Sequence, residues 1–413
     1  MDVIHQRAAG IDISKRDAKV AIRAPGKRRD TYITQVTTWA ATTSQILALR
    51  EMLVAEAVTA VVMETTSDYW KPFYYLFEDV LPVMLVNAKA AKNIPGRKTD
   101  VSDAAWLAQL AAHGLVRACF VPPEPIRELR DLTRARTIAT QDRTREIHRL
   151  EKFLESTGLK LSATVSDLLG ASSRAMLDAL IAGERDPGRL ADMAKGTMRR
   201  KIPELVEALT GRFNDHHAFL CRMHLDRIDS VTMWIDQLTT RIEEVIEPFR
   251  SARDFLTTIP GVSVKVADVI VAETGADMSK FDTSGRLASW AGVCPGSNES
   301  AGRVKSTRTR PGNRYLKGAL GVAALSIARN PGDSYLGARY RRILVRRGKL
   351  KAIVATEHSI LSAIWHMHSD GEIYNDLGAD YFSKRNPDRE KRNALNRLRA
   401  LGYDVRLTPV EAA

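Results

Sequence analysis

The spacing of apolar residues changes along the chain, and its first part predicts strands separated by helices. Apolar and polar residues alternate on both sides of a turn at residues 14–17, which predicts a β-hairpin over residues 9–22. Residues 60–63 and Val83–Val86 are short apolar runs, and residues 43–57 between them and the hairpin have helical spacing. Strands that alternate with helices predict an α/β domain.

A helix and a run of prolines close this first domain. Residues 100–115 carry apolar side chains at helical spacing and reach a glycine stop at Gly114. Pro122, Pro123 and Pro125 then interrupt the chain. We therefore predict that the first domain spans residues 1–121.

Long helices are predicted for the middle of the chain, residues 122–254. Residues 128–153 and 201–249 are densely charged and repeat apolar residues at helical spacing, for example at Ile228, Val231, Ile235, Leu238, Ile242 and Ile246. This pattern is compatible with a coiled coil that serves as an oligomerisation arm and equally with a plain helical bundle. From residue 255 glycine and proline return, which predicts a mostly α-helical domain over residues 255–345 and a C-terminal helix with a charged extension over 346–413.

The charge balance favours a nucleic-acid partner. Lys and Arg number 62 against 49 Asp and Glu in 413 residues, a net charge of +13, although solubility or attraction to a membrane surface would also fit. Three widely spaced cysteines indicate neither a disulfide framework nor a zinc site. With no leader-like or membrane-spanning apolar run, we expect a cytoplasmic protein.

Four carboxylates stand at positions that suggest a shared metal site. Asp12 lies inside a predicted strand between two isoleucines, and Glu64 ends another. Asp100 and Asp103 are three apart at a helix start, so they share a face. Nucleases hold two Mg²⁺ ions about 4 Å apart with such clusters, and Mn²⁺ could replace them. Each residue also has an ordinary explanation as a turn former, strand end or helix N-terminal charge. The order strand-Asp, strand-Glu, helix-DxxD is that of an RNase H-like, or RuvC-like, fold.

Two further segments suggest contacts with phosphate. Residues 256–267 look like a helix-hairpin-helix with its turn at Gly261 and a cation at Lys265, although an ordinary turn between helices has the same pattern. A glycine-rich segment, residues 290–302, precedes six cations without an intervening acid, Arg303, Lys305, Arg308, Arg310, Arg314 and Lys317.

A serine beside these cations could attack a phosphodiester, because the cations would stabilise the charge that develops. By residue chemistry Ser297, Ser300 and Ser306 are equal candidates, and a loop that grips phosphate without covalent chemistry would look similar. A tyrosine nucleophile is poorly supported: His224 and Arg227 have the HxxR spacing, but no tyrosine follows before Tyr315.

Together these motifs resemble one family, the insertion-sequence transposases with a DEDD catalytic domain, the IS-one-ten family, which is related to the pilin-gene invertases. The resemblance rests on GIDISK at residues 10–15, METTSDYW at 63–70, RKTDVSDAAWLA at 97–108, IPGVSVKVADVIVAETG at 259–275, and WAGVCPGSNESAGR at 290–303 followed by TRPGNRYLK. It covers nearly the whole chain.

The resemblance implies a set of roles. Asp12, Glu64, Asp100 and Asp103 would be the metal-binding tetrad of a RuvC-like domain, and Ser300 falls where the family has its nucleophilic serine. Ala301 and Gly302 follow Ser300 where many relatives have two small residues such as Gly-Gly, and Ser297 is close by. The family works as homo-oligomers, here expected as a dimer to tetramer, with active sites shared between subunits and guided by a noncoding bridge RNA.

The function expected from the sequence is therefore that of a bacterial, nucleoid-associated transposase or site-specific recombinase that acts on element ends and target DNA. A hydrolytic RuvC-like junction nuclease would use the tetrad alone, with the serine loop only gripping phosphate. A non-catalytic nucleic-acid-binding protein would share the charge and the long helices, but it would not need four placed carboxylates.

Overall fold

The chain divides into two compact units, Met1–Val121 and Pro122–Ala413. The structure, a computed structural model, describes residues 2–28, 30–65, 67–88, 91, 94, 102–296 and 298–406. Within these residues no helix is both long enough and apolar enough to cross a membrane.

The first unit is built on a mixed sheet with helices on both faces. In chain order its described elements are β1 Ala8–Ile13, β2 Asp17–Pro25, β3 Tyr32–Ala40, α1 Thr43–Ala55, β4 Ala60–Glu64, α2 Trp70–Phe77, β5 Val83–Val86 and α3 Asp103–Ala112. The strand order is β3-β2-β1-β4-β5, with β1, β2 and β3 antiparallel and β1, β4 and β5 parallel. This arrangement fits the RNase H-like domain that the sequence predicts.

The hairpin of β1 and β2 forms where the alternating pattern predicts it. Its turn is closed by Ser14, whose backbone N–H donates to Asp17 O (2.8 Å) and whose Oγ donates to Asp17 Oδ1 (2.6 Å). Strand β3 was not predicted from the sequence. This edge strand has no clear alternation of buried and exposed residues, because most of its side chains face solvent, and a strand without a buried face gives a weak pattern.

Alternate residues of the central strands pack in two separate cores. Ala9, Ile11 and Met63 lie on one face against α1 and α2. Ala8 and Val62 lie on the other face against α3. Because successive side chains of a strand point to opposite faces, residues two positions further along β1 and β4 remain on the same side as these residues.

The second unit begins with a long helical hairpin. Helices α4 Glu124–Ser156, α5 Leu161–Thr164, α6 Ala171–Ile181, α7 Pro187–Asp192, α8 Ile202–Ala208 and α9 Asp215–Val245 follow one another, with a 3-10 turn at Gly196–Lys201. Helices α4 and α9 are antiparallel: Glu146 bonds His224 (2.7 Å), while the earlier Arg143 bonds the later Thr232 (2.8 Å). The short helices between them pack against both long helices in one hydrophobic core.

The second helical stretch predicted over residues 201–249 is interrupted. It separates into α8 and α9 because Asn214 starts α9 with a capping box: its side chain accepts from His217 N (3.1 Å) and its N–H donates to His217 Nδ1 (3.2 Å). Such a cap stabilises a helix start and separates it from the preceding turn.

The C-terminal part of the second unit is mostly helical but contains a small hairpin. Its described elements are α10 Arg250–Thr257, α11 Val264–Thr274, α12 Ser284–Ala291, β6 Asn298–Ser300, β7 Arg303–Ser306, α13 Arg314–Arg329, α14 Tyr335–Arg347, α15 Lys349–Asp370, α16 Tyr381–Arg385 and α17 Pro387–Ala400, with 3-10 turns at Glu247–Phe249 and Met278–Lys280. The strands β6 and β7 were not predicted from the sequence.

Candidate functional site

Two of the predicted carboxylates, Asp12 and Glu64, lie side by side at the carboxyl ends of β1 and β4. We call this end of the sheet the carboxylate edge. In the parallel pair of β1 and β4 the last paired residues are Ile11 and Met63, so Asp12 and Glu64 are the next residue on each strand. Both share the face of Ala8 and Val62 by strand alternation. Glu64 is 7% exposed and Asp12 is half-buried.

Helix α3 brings a third carboxylate to the same edge. Ala112 O, near the C-terminal end of α3, accepts from Ile4 N (2.8 Å) and His5 N (3.0 Å), just before β1. The helix therefore runs opposite to β1, and its first residue, Asp103, lies near the end of β1 that carries Asp12, as the position of Ala104 O beside Gly10 also indicates. Ser102 caps this helix start by accepting from Ala105 N (3.3 Å), where negative charge is also favoured.

Gly10 allows α3 to lie this close to β1. A Cβ at residue 10 would stand 2.2 Å from Ala104 O and 2.3 Å from Ala108 N, both backbone atoms of the helix. Gly10 is two residues before Asp12 and therefore on the same face of the strand. The glycine thus lets the sheet and helix meet beside the carboxylates.

The fourth carboxylate, Asp100, lies outside the described residues. Among the residues that the structure does describe, no three His, Cys, Asp or Glu side chains gather closely enough to hold a metal ion. The three described positions share one sheet edge and supply hard oxygen donors of the kind that Mg²⁺ prefers. The register also places an exposed cation, Lys19, directly opposite Asp12 on β2, which the sequence analysis missed although the hairpin pattern contained it.

The predicted nucleophile lies at the tip of the small hairpin in the second unit. Ser300 pairs with Arg303 across a two-residue turn. Ala301 (φ 50°) and Gly302 (φ 74°) both have positive φ, the conformation of a hairpin turn that follows the strand twist. Ser300 is exposed, Ser306 is half-buried and accepts from Arg308 N (3.2 Å), and Ser297 lies outside the described residues.

The base of this hairpin is closed by hydrogen bonds within the protein. Gly296 N donates to Arg308 O (3.2 Å). Lys317 Nζ donates to Gly292 O (3.0 Å) and to Thr309 Oγ1 (3.2 Å), one acceptor on each arm of the loop. Lys317 was predicted to contact nucleic acid, but in this structure its ammonium group joins the two arms of the serine hairpin.

The other predicted cations are available to an external anion. Arg303, Lys305, Arg308, Arg310 and Arg314 are exposed, as is Lys265 at the start of α11. Within the described part of the chain none of these six forms an ion pair. Uncompensated exposed cations of this density are the arrangement that binds a phosphate backbone.

The glycine turn at residue 261 joins α10 and α11, which pack against each other. Gly261 has a φ of 83°. A Cβ there would lie 2.7 Å from Ala323 O of α13. Packing against α13 therefore requires glycine at this position independently of any contact with DNA.

Glu273, a buried acid that was not singled out from the sequence, connects α11 and the start of α13 to the long helix α4. Glu273 is fully buried and accepts two hydrogen bonds from Arg134 (2.7 and 2.8 Å) and one from Asn313 Nδ2 (2.6 Å). Asn313 Oδ1 in turn accepts from Tyr315 N and Leu316 N, which caps α13. Arg134 and Asn313 are 139 and 40 residues away from Glu273 in the sequence. Local spacing therefore could not indicate that these three residues meet.

Comparison with known proteins identifies the family. The family model for the DEDD domain of IS110 transposases, described as "Transposase", matches residues 9–158. A second model, described as "Transposase IS116/IS110/IS902 family", matches residues 253–341. Together they cover more than half of the chain and include both the carboxylate edge and the serine hairpin.

Two curated relatives come from insertion elements. The uncharacterized 42 kDa protein of insertion element IS900 from Mycobacterium paratuberculosis is 28% identical over 306 residues, 67% of this chain and 73% of the relative. The uncharacterized 43.6 kDa protein of insertion element IS110 from Streptomyces coelicolor is 32% identical over 123 residues, 29% of each chain. The chain therefore belongs to the IS110 family of insertion-sequence transposases, enzymes that cut and rejoin DNA.

Proposed function

We propose that this transposase cuts and rejoins DNA through a serine nucleophile, Ser300, with Mg²⁺ or Mn²⁺ held by Asp12, Glu64, Asp100 and Asp103. The observation that carries the proposal is that Asp12, Glu64 and Asp103, which are far apart in the sequence, are directed to one edge of the first unit's sheet. Carboxylates brought together on neighbouring strands supply the hard oxygen ligands that Mg²⁺ and Mn²⁺ prefer.

The carboxylates supply an oxygen-only binding set. When bound there, Mg²⁺ would stabilise negative charge on the phosphodiester oxygens. Asp12 and Glu64 would be held in place by the ladder of β1 and β4, and Asp103 by the capped start of α3. The sheet and the helix thereby preorganise the binding groups before DNA arrives.

The serine supplies the covalent step. Ser300 Oγ attacks the phosphorus atom, a new P–O bond joins protein to DNA, one DNA ester bond breaks, and the freed DNA oxygen takes up a proton as the serine loses one. Rejoining is the reverse attack by a DNA hydroxyl. The exposed cations Arg303, Lys305 and Arg308 are adjacent along the hairpin and its following segment and would stabilise charge on the phosphate.

The partners proposed are the element ends and target DNA, a bridge RNA and further copies of this chain, from dimer to tetramer. The net charge of +13 supports nucleic-acid binding. Exposed apolar side chains on the long helical hairpin support oligomerisation, namely Phe219, Met223, Met233 and Trp234, which are 51–66% exposed. Lys265 at the start of α11 is proposed as a phosphate contact of a helix-hairpin-helix.

A complementation experiment tests this proposal. Asp12→Asn and Ser300→Ala should each abolish recombination while leaving DNA binding largely intact. If the tetrad and the serine of one active site come from different subunits, mixing the two variants should restore part of the activity. Ser306→Ala and Ser297→Ala are the matched serine controls and should remain active.

The outcomes separate the alternatives. A covalent protein–DNA adduct that disappears in Ser300→Ala supports the serine mechanism. Metal-dependent nicking that survives Ser300→Ala would instead indicate a hydrolytic junction nuclease. Loss of activity in Ser297→Ala with an active Ser300→Ala would move the nucleophile to residue 297.

A further inference from the structure

We propose that a groove in the second unit binds an unpaired nucleotide of a single strand. The groove lies between the long helices α4 and α9 on one side and α11 and α13 on the other, and its volume is about 670 Å³. This is within the usual range for sites that bind small organic ligands. The inference rests on the proposed function and adds a ligand class and a location to it.

The walls of this groove are largely apolar. Ile138 and Ile235 contribute from the long helices, Val266 and Val269 from α11, and Val322 from α13. Ile138 is 43% exposed and Val322 is 59% exposed. Apolar side chains that line an open groove favour an occupant with its own apolar faces, because covering them removes apolar surface from water.

The charge of the groove selects a polyanion. Lys265 and Arg314 are exposed lining residues, and the Arg314 guanidinium lies 4.7 Å from the ring centroid of Tyr315, which also lines the groove. Arg136 lines it as well, but Arg136 is paired with Asp268 at 2.9 Å. Among the described lining residues there is no acid. Two uncompensated cations beside apolar walls are therefore complementary to a phosphate with an attached base.

A single strand fits this surface better than a duplex does. A duplex presents phosphates outward and keeps its bases stacked inside, so apolar walls would gain little from it. An unpaired base has an exposed face that can be buried against aliphatic or aromatic side chains, and its phosphate can contact the cations at the same time. DNA that is opened during strand exchange supplies such nucleotides, as do unpaired segments of RNA.

Gly318 allows a sharp test. It lines the groove on α13, and a Cβ added there meets nothing within 4 Å. Gly318→Glu should therefore leave the fold intact while placing a negative charge in the groove. Binding is measured by fluorescence anisotropy with a labelled oligodeoxythymidine, an oligouridine and a duplex of equal length, at fixed salt and with EDTA. Val322→Glu, one turn further along the same helix, is a second variant.

Gly318→Glu and Val322→Glu should each weaken binding of the single strand about tenfold. Duplex binding should change much less. Gly318→Ala should bind the single strand with the affinity of the wild type. The affinity of Gly318→Gln should lie between the affinities of Gly318→Ala and Gly318→Glu. Ser326→Glu adds the same charge to an exposed position of α13 that does not line the groove, so it should leave single-strand binding unchanged.

Two results would overturn the proposal. One is unchanged single-strand binding in folded Gly318→Glu and Val322→Glu. The other is an equal loss for duplex and single strand, which would indicate general electrostatic repulsion. Preference for the oligouridine or the oligodeoxythymidine identifies RNA or DNA as the occupant. Because binding is measured without divalent ions or chemistry, its failure is distinct from failure of the Asp12→Asn and Ser300→Ala complementation.

Discussion

Gly10 shows how one missing side chain sets the distance between a strand and a helix. The backbone of α3 lies where the Cβ of any other residue would be, and α3 cannot retreat without moving Asp103 away from the edge that carries Asp12. Ala301 illustrates the opposite case, since a residue with a side chain adopts a positive φ beside Ser300. Such a conformation is uncommon for residues other than glycine and is often found at functional sites.

Substitution of two glycines by alanine should therefore have opposite effects. Gly10→Ala should lower the free energy of unfolding by about 3 kcal/mol, because its Cβ would overlap backbone atoms that cannot rotate away. Gly318→Ala should raise it by about 0.5–1 kcal/mol, because the Cβ enters open space and helical glycine carries an entropy cost. Chemical denaturation of each full-length variant measures both effects, and a neutral Gly10→Ala would contradict the close approach of α3.

Glu357 makes stability depend on pH. It is 5% exposed on α15, and among the residues that the structure describes its Oε2 has no hydrogen-bond partner. Burial raises the pKa of its carboxyl group, and the charge of Lys317 partly offsets this effect. Since the folded state then favours the protonated acid, stability is lost as the pH rises above the unfolded pKa of about 4.3.

Glu357→Gln should therefore stabilise the protein at neutral pH by about 1 kcal/mol, because the neutral amide avoids the cost of burying a charge. The difference from the wild type should shrink as the pH falls toward 4. Unfolding curves at several pH values measure it, with the exposed Glu372→Gln as the control. A constant difference between pH 4 and pH 8 would show that the carboxyl group does not titrate as its burial implies.

At the scale of elements, Glu273 connects three helices. It lies near the C-terminal end of α11, receives Arg134 from α4, and receives the side chain that caps α13. Arg130 of α4 also donates to Glu273 O (2.7 Å). Asn313 is at the C-terminal end of the basic segment that follows the serine hairpin. The contacts of Glu273 therefore fix the position of this end relative to α4.

Replacement of Asn313 tests the cluster against ordinary capping. Asn313→Ala should destabilise the protein by about 2 kcal/mol through loss of the cap and of the bond to Glu273. Asn313→Asp keeps an equally good cap, yet it should be at least as damaging at neutral pH because two carboxylates would face each other. Thermal unfolding compares the variants. Wild-type stability in Asn313→Asp would exclude this role of Glu273, whereas a loss at least as large as that of Asn313→Ala would support it.

At the scale of the whole molecule, one basic segment runs from the serine hairpin to the start of α13. Five arginines and lysines between residues 303 and 314 are exposed, whereas the ammonium group of Lys317 bonds to Gly292 and Thr309. The contribution of each cation to nucleic-acid binding therefore depends on whether its partners are inside the protein or outside.

Salt dependence measures this difference. Arg308→Ala and Arg314→Ala should each reduce the slope of log affinity against log salt by about one unit, because each loses one phosphate contact. Lys317→Ala should change the slope less and lower stability instead, since it opens the base of the hairpin. Binding isotherms at several salt concentrations provide the slopes. Equal slopes in all three variants and the wild type would mean that this segment faces away from nucleic acid.

Prediction from the sequence succeeded for elements with one buried face, because burial of one face makes apolar residues recur at regular spacing. The hairpin, β4 and β5 were predicted close to their observed bounds, and with them the places of Asp12 inside β1 and of Glu64 at the end of β4. It failed for β3 and for β6 and β7, whose mostly exposed side chains impose no period. The break between α8 and α9 was also missed, because helical spacing continues on both sides of the cap at Asn214.

The sequence by itself determined the elements with a buried face, the basic character of the C-terminal part, and the motifs of the IS110 family, because these depend on neighbouring residues and on composition. The tertiary structure decided which distant residues meet. Strand register placed Asp12 beside Glu64 and opposite Lys19, and the direction of α3 placed Asp103 at their edge. Packing also turned Lys317 inward, buried Glu273 among its partners, and opened the groove beside Gly318. Such contacts join residues tens to more than a hundred positions apart, and local spacing does not specify them.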